Sequence, residues 1–391
     1  MILIGNGVLI TQNASCPVIH DGCVVVDGTT IADFGTTAEM KAKYRDGEFY
    51  DAQGGVIMPG LINTHGHIYS AFARGMSLKN SKVSKNFTQI LENLWWRVDR
   101  ALDLPEIEYS AYTTYIEGIR NGVTTVFDHH ASAGRVPDSL FTIAEVAKKL
   151  GVRTSLCYEV SDRDGEKIAD EGIKENADFI AYAKGQDDDM IKGLFGLHAS
   201  FTLSDRTLEK CVAAANGAGF HVHVAEGIDD LYDSLKKYGK RVVERLHDAS
   251  ILGPQSIAVH CIHINAREMD ILKDTDTIVV HNPESNMGNA VGCSAALHMM
   301  EKGVLMGLGT DGYTTDMLES FKVANILHKH NLGDPSVGWA ESAQMLLVNN
   351  AKICARYFNK PLGVIDKGAY ADIIVVDYEA PTPITESNTS S

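Results

Sequence analysis

From Met1 to about Gly55 the chain is written in short runs where apolar and polar residues alternate, such as GVLIT, CVVVDG and TIADFG, broken by Asn-Gly and Asp-Gly pairs. A period of two gives a strand one apolar face, and those pairs suit tight hairpins, so this stretch predicts antiparallel strands. The far end returns to the same chemistry in GVIDKGAYADIIVVDYEAP, and the two termini are expected to build one small β-sandwich together. Between them the pattern changes. Near-continuous apolar runs cover 60–65, 123–128, 152–159, 193–198, 220–224, 256–260, 277–281 and 304–310, separated by helical stretches such as AEVAKKLG and KKYGKRVVERL. Parallel strands buried on both faces read this way. Such β/α units in about 250 residues predict a closed (β/α)8 TIM barrel, although a doubly wound sheet shares the local pattern. The expected division is 1–55 for the first part of the sandwich, 56–358 for the barrel and 359–391 for the rest of the sandwich.

The placement of ionisable residues favours the barrel. At or just past the ends of those runs stand His65 and His67, Asp128, His129 and His130, Glu159, His198, His221 and His223, His260 and His263, His281 and Asp311. Of the 15 histidines in the chain, ten belong to this set. A barrel gathers the C-terminal ends of its strands at one mouth, where barrel enzymes keep their chemistry.

Composition narrows the class. The formal net charge of −16, from 51 acidic and 35 basic residues, repels phosphate backbones and anionic lipid, so neither a nucleic acid nor a membrane is an expected partner. The 7 cysteines are scattered singly, without Cys-x-x-Cys, as suits reduced thiols in a cytoplasm. The start MILIGNGVLITQN has no basic n-region, and no apolar run approaches the roughly 18 residues needed to span a bilayer.

Imidazoles and carboxylates are the ligands zinc accepts in catalytic sites. His65 and His67 share a strand face, and with His223 and Asp311 they supply four candidate ligands for one divalent metal, Zn2+ or alternatively Fe2+. Glu226, three residues past His223, is a candidate general acid/base. Geometry alone does not choose between His221 and His223. His260 and His263 have opposite parity, and His260 is taken as the inward one. GLGTDG (307–312) fits a dinucleotide fingerprint, but Asp311 there would set a carboxylate against a pyrophosphate, so its glycines are read as letting Asp311 approach the metal.

Taken in order, VIMPGLINTHGH, GVTTVFDHH, HVHVAE, VHCIH, HNPESNMGNAVG, GLGTDG and the run ending ADIIVVD resemble the amidohydrolase superfamily. They are most similar to its aminohydrolase branch of purine deaminases and triazine hydrolases, and within it to the SsnA-type aminohydrolases. The resemblance implies metal ligation by His65, His67, His223 and Asp311, acid/base work by Glu226, polarisation of water or substrate by His260, and substrate contact by His198. LHAS stands where binuclear relatives carry a bridging lysine, which implies a single metal. Relatives usually continue well past the ADIIVVD strand, so the terminal sandwich is expected to be incomplete.

The segment IYSAFARGMSLKNSKVSKNFTQILENLWWRVDR mixes aromatic and polar residues, as a lid over a flat heterocycle would. Trp95 is its candidate stacking residue. Asn286 and Asn289 are candidate donors to the substrate, and His129 is a candidate pocket residue that could equally be a rim histidine. His20, His247, His298, His328 and His330 read as surface or helix residues. The expected reaction is hydrolytic deamination of a purine-, pyrimidine- or triazine-like compound, with Asp311 taking a proton from water. Hydrolysis of another C–N or a C–halogen bond, and a non-catalytic subunit of a purine-oxidation complex, are the alternatives; a homo-oligomer is compatible with either.

Overall fold

The computed structural model describes residues 1–76, 79 and 82–390. The chain forms two compact units, Met1–Ile62 with Leu346–Ser391, and Asn63–Met345. In the first, β1 (Ile2–Ile10), β2 (Val18–Asp27) and β3 (Thr30–Thr36) are antiparallel neighbours, while β4 (Glu48–Asp51) and β5 (Val56–Pro59) run parallel to β1.

β6 (Leu61–Gly66) leads into the second unit, followed by β7 (Val123–His130), β8 (Arg153–Tyr158), β9 (Ile191–Gly193), β10 (Phe195–Ala199), β11 (Phe220–Val224), β12 (Ile257–His260), β13 (Ile278–His281) and β14 (Met306–Leu308). Two parallel ladders run β6-β7-β8-β9 and β10-β11-β12-β13-β14. Isolated parallel bridges join their edges, Val160 to Leu197 and Gly66 to Asp311. At the second seam the Thr310 and Asp311 amides donate to the His65 carbonyl at 3.0 and 3.1 Å. This is a TIM-barrel-type fold, with β9 and β10 separated by the single residue Leu194. Seven of the eight expected runs correspond to one strand each and the run 193–198 spans the end of β9 and most of β10, because a strand buried on both faces has the continuous apolar run that marks it.

The chain end returns to the first unit as β15 (Ile373–Val376), antiparallel to β5, giving one sheet of order β15-β5-β1-β2-β3 with β4 beside β1. Both faces of this sheet are covered. Val24 packs with Leu9, Ile31, Ile57, Ile365 and Ala369, while its neighbours Cys23 and Val25 pack on the other face with Leu3 and Met40. The two-residue period therefore holds even though VVV looks unbroken. This unit reaches past the expected limits of 55 and 359. Val56–Pro59 is laddered to both β1 and β15, and Asn350 donates to the Ile62 carbonyl at 2.8 Å. None of the described helices is long and apolar enough to cross a membrane, and no disulfide joins any of the 7 cysteines.

Candidate active site

The strand ends of the barrel deliver a buried cluster of imidazoles and carboxylates. His65 on β6 and His67 just past its end meet His223 from β11, His260 from β12 and Asp311 just after β14. Gly309 makes the β14 approach feasible: a Cβ there would lie 2.8 Å from the His65 carbonyl oxygen and 3.0 Å from its Cβ. Four non-glycine residues at these ends, Ala225, His260, Cys261 and Asp311, have φ of 47°, 70°, 51° and 58°. Left-handed backbone costs of order 1–3 kcal/mol per residue and persists where surrounding structure over-determines it.

Hydrogen bonding fixes the rings. The Nδ1 of His67 lies 2.6 Å from the His129 carbonyl oxygen, and that of His223 lies 3.0 Å from the His198 carbonyl oxygen. A carbonyl only accepts, so each Nδ1 carries the hydrogen. The two Nε2 atoms are 3.2 Å apart, and the Oδ1 of Asp311 is 3.1 Å from that of His67. Without a metal ion the His67 ring, although buried, is held up at about 9 by the Asp311 carboxylate, and a proton on its Nε2 fills this gap; a divalent cation at the same place would take the lone pairs of both nitrogens instead. His65 turns its Nδ1 to His221 at 2.9 Å and leaves Nε2 buried without a partner, 4.0 Å from the same Asp311 oxygen. His65, His67 and Asp311 offer ligand atoms mutually within 4.8 Å. The donor set and its unpartnered nitrogens fit a divalent cation.

Electrostatics divides the groups. Burial, reinforced by neighbouring imidazoles, holds His65, His221 and His223 well below the ordinary histidine range, so they are neutral ligands and supports. Burial works against the Asp311 carboxylate, yet His67 and the Ser285 hydroxyl, whose Oγ is 2.6 Å from Oδ2, hold it below the usual range. Burial, then the charge of Asp311, pushes Glu226 well above it. The Nε2 of His260 is 3.4 Å from both Glu226 Oε2 and Asp311 Oδ2, and its Nδ1 is 2.8 Å from Asn286 Oδ1.

The pocket over this cluster is lined by Tyr69, Phe87, Leu91, Trp95, Trp96, Glu159, His198, Phe201, Glu226, Ser285, Asn289 and Tyr313, among others. Trp95, His198 and Asn289 thus lie where a substrate would touch them. The lid segment contributes a short 3-10 helix at Ile68–Ala73 and a turn of π-helix at Leu91–Trp95 that brings Trp95 and Trp96 to the pocket. Residues 77, 78, 80 and 81 of that segment lie outside the described residues.

Two expected pocket residues are elsewhere. His129 is fully buried, with Nε2 at 3.1 and 3.0 Å from the Leu197 and His221 carbonyls; it faces the barrel interior because its strand parity does. Asn286 faces His260, since on the helix Pro283–Gly288 it is rotated away from Ser285, which shares a side with Asn289 and accepts from its Nδ2 at 3.2 Å. His263 is only partly buried, and His260 alone of that pair joins the cluster. His328, read as a surface or helix residue, is buried in the helix Met317–Leu332, its ring 5.0 Å from that of His281. Sequence reasoning also passed over Ser285, which an i, i+4 reading back from Asn289 finds, and the pocket role of Glu159.

Comparison with known proteins gives a consistent family. The Amidohydrolase family model matches residues 56–391. The chain is 31% identical over 390 residues to a 5'-deoxyadenosine deaminase of Methanosarcina mazei, covering 97% of this chain and 85% of that protein. It is 30% identical over 388 residues to a 5-methylthioadenosine/S-adenosylhomocysteine deaminase of Pelotomaculum thermopropionicum, covering 97% and 86%. Among solved structures, an adenosine deaminase from Xanthomonas campestris with bound zinc has a TM-score of 0.87 at 24% identity, covering 99% of this chain and 88% of that one.

Proposed function

The chain belongs to the amidohydrolase family, and from that premise we propose that it is a hydrolytic deaminase. In this reading His65, His67, His223 and Asp311 hold one zinc ion, and the substrate is an aminated N-heterocycle that releases ammonia. Two relatives named as deaminases of adenine nucleosides support it. The observation that carries it is the pair of Nε2 atoms 3.2 Å apart beside a carboxylate.

When bound, zinc supplies the positive charge that brings the pKa of a water from about 15.7 towards 7. Asp311 and His260, whose facing atoms are 3.4 Å apart, take up the proton released as water attacks the ring carbon. Glu226, protonated and 3.4 Å from the same His260 nitrogen, gives its proton to the ring nitrogen while the C–O bond forms. It receives the one that Asp311 and His260 took up and passes it to the amine as the C–N bond breaks, and is restored by the proton of the new hydroxyl as the carbonyl forms. The water oxygen stays on the ring carbon; one of its hydrogens leaves with ammonia and the other replaces the proton that Glu226 gave to the ring. Trp95 and Phe87 cover the ring, Asn289 and His198 orient it, and the lid keeps out bulk water.

The test is elemental analysis of protein purified without added metal, followed by an ammonia-release screen across aminated purines, pyrimidines and triazines. One zinc per chain and ammonia from one of these classes are expected, with Glu226→Gln inactive in the same screen. Halide without ammonia from a chlorinated triazine would assign the site to a different bond.

A further inference from the structure

A second glutamate lines the pocket and has no part in the proton transfers above. Glu159 follows β8, its backbone N–H donating to the His130 carbonyl at 2.8 Å, and its side chain is buried. Its Oε2 is 3.2 Å from the Nδ1 of His129. The Nε2 of His129 faces two carbonyl oxygens and carries a hydrogen, and one Glu159 oxygen is held against the other nitrogen of that buried ring. The other carboxylate oxygen, Oε1, is 3.6 Å from the Nε2 of His198, too long for a hydrogen bond. The His198 Nδ1 is 2.7 Å from the Thr202 hydroxyl, whose own hydrogen goes to the Ala199 carbonyl at 3.1 Å, so Nδ1 donates and a neutral ring leaves Nε2 as an acceptor. Two acceptors stand side by side in the pocket with no donor between them.

The pocket also lacks a lysine or arginine side chain among its described lining residues. The undescribed residues 77, 78, 80 and 81 are Ser, Leu, Asn and Ser. The Arg163 guanidinium lies 5.2 Å from the Trp96 ring, paired with Asp99 and, at 3.5 Å, with Asp164.

Resting on the deaminase reading, we propose that Glu159 and His198 form an acceptor pair that selects aminated purines bearing hydrogen-bond donors away from the reacting amine, such as ring N–H groups or ribose hydroxyls. The same carboxylate, with no lysine or arginine among the described residues lining the pocket, rejects compounds that carry a phosphate or carboxylate. Glu159 is a specificity-determining residue here.

The test uses calorimetry and steady-state ammonia release on the zinc-loaded full chain, with guanine, 5'-deoxyadenosine, adenosine 5'-monophosphate and adenosine 5'-diphosphate as probes. Wild type is expected to bind the best neutral probe at least about tenfold more tightly than either anionic one. Glu159→Gln is expected to raise KM for that neutral probe about 10- to 100-fold with kcat within about threefold, and to narrow the gap to the anionic probes. Because that change unpairs His129, His198→Phe supplies an independent variant whose main-chain carbonyl still accepts from His223; it should raise KM in the same sense. Equal binding of neutral and anionic probes, an unchanged preference in both variants, or failure of every neutral probe to bind would overturn the proposal. So would two metals per wild-type chain falling to one in Glu159→Gln, which would make Glu159 a ligand with His67, His129 and His223. Selective binding without ammonia would leave the acceptor pair standing and remove the deaminase reading.

Discussion

Two glutamates in one pocket, similarly buried, are pushed in opposite directions. Glu226 is 7% exposed and Glu159 5%, so desolvation acts on both in the same sense. Glu226 also faces a carboxylate, Asp311, and is held well above the ordinary range; Glu159 is brought down to about 2 against its burial by His198, which takes up its own charge only below about 4, and by a hydrogen bond with His129. The neighbours, not the depth, decide which carboxyl keeps a proton for chemistry and which keeps a charge.

The largest effect that would sharpen this contrast is on turnover. Glu226→Gln should lower kcat by about 10²- to 10⁴-fold while zinc content stays at one per chain, read by ammonia release and elemental analysis. A loss of metal would instead make Glu226 a ligand. Next, Asn286→Ala should lower kcat by about 10- to 100-fold and leave KM near its original value, because Asn286 orients His260 rather than substrate. A KM effect alone would return Asn286 to the substrate.

The contrast also bears on stability. Glu159 titrates in the folded chain below its unfolded value of about 4.3, so its ionised form contributes stability above that pH, lost as pH falls towards about 2. Glu226 titrates above its unfolded value, so stability due to its neutral form is present below about 4.3 and is lost as pH rises through the folded value. On chelator-treated protein at pH 7, Glu159→Gln should therefore lower Tm and Glu226→Gln raise it, by about 1–2 °C per kcal/mol. Shifts of the same sign would break the comparison. The smallest effect concerns the lid. Thr88 donates to Asp229 at 2.8 Å, near the Glu226 wall, and Thr88→Val should raise KM about two- to fivefold with kcat held.

The residues legible in the sequence were those that a local period governs. His65 and His67 two residues apart, and the gathering of His221, His223, His260 and Asp311 at strand ends, follow from parity and from the barrel's single mouth, whereas the choice of His223 over His221 came from the family resemblance. His129 and Asn286 lie behind the pocket wall, His129 against two carbonyl oxygens, as the rim alternative allowed, and Asn286 rotated by about 100° from Ser285 on its helix. What no local period carries is the partner across the fold: His221 behind His65, or the imidazoles that set Glu159. The (β/α)8 pattern was readable because each strand is apolar throughout. The reach of the terminal sheet depended on pairing between residues some 300 positions apart, Val56–Pro59 with Ile373–Val376.

His67 and His223 take their orientation from the peptide groups of residues 129 and 198. A peptide carbonyl is there whatever amino acid occupies the position. Evolution can therefore replace the imidazole at 198, and with it what the enzyme recognises, while the ring it steadies from behind is inherited unaltered. In such a fold substrate preference is free to drift while the reactive centre stays put.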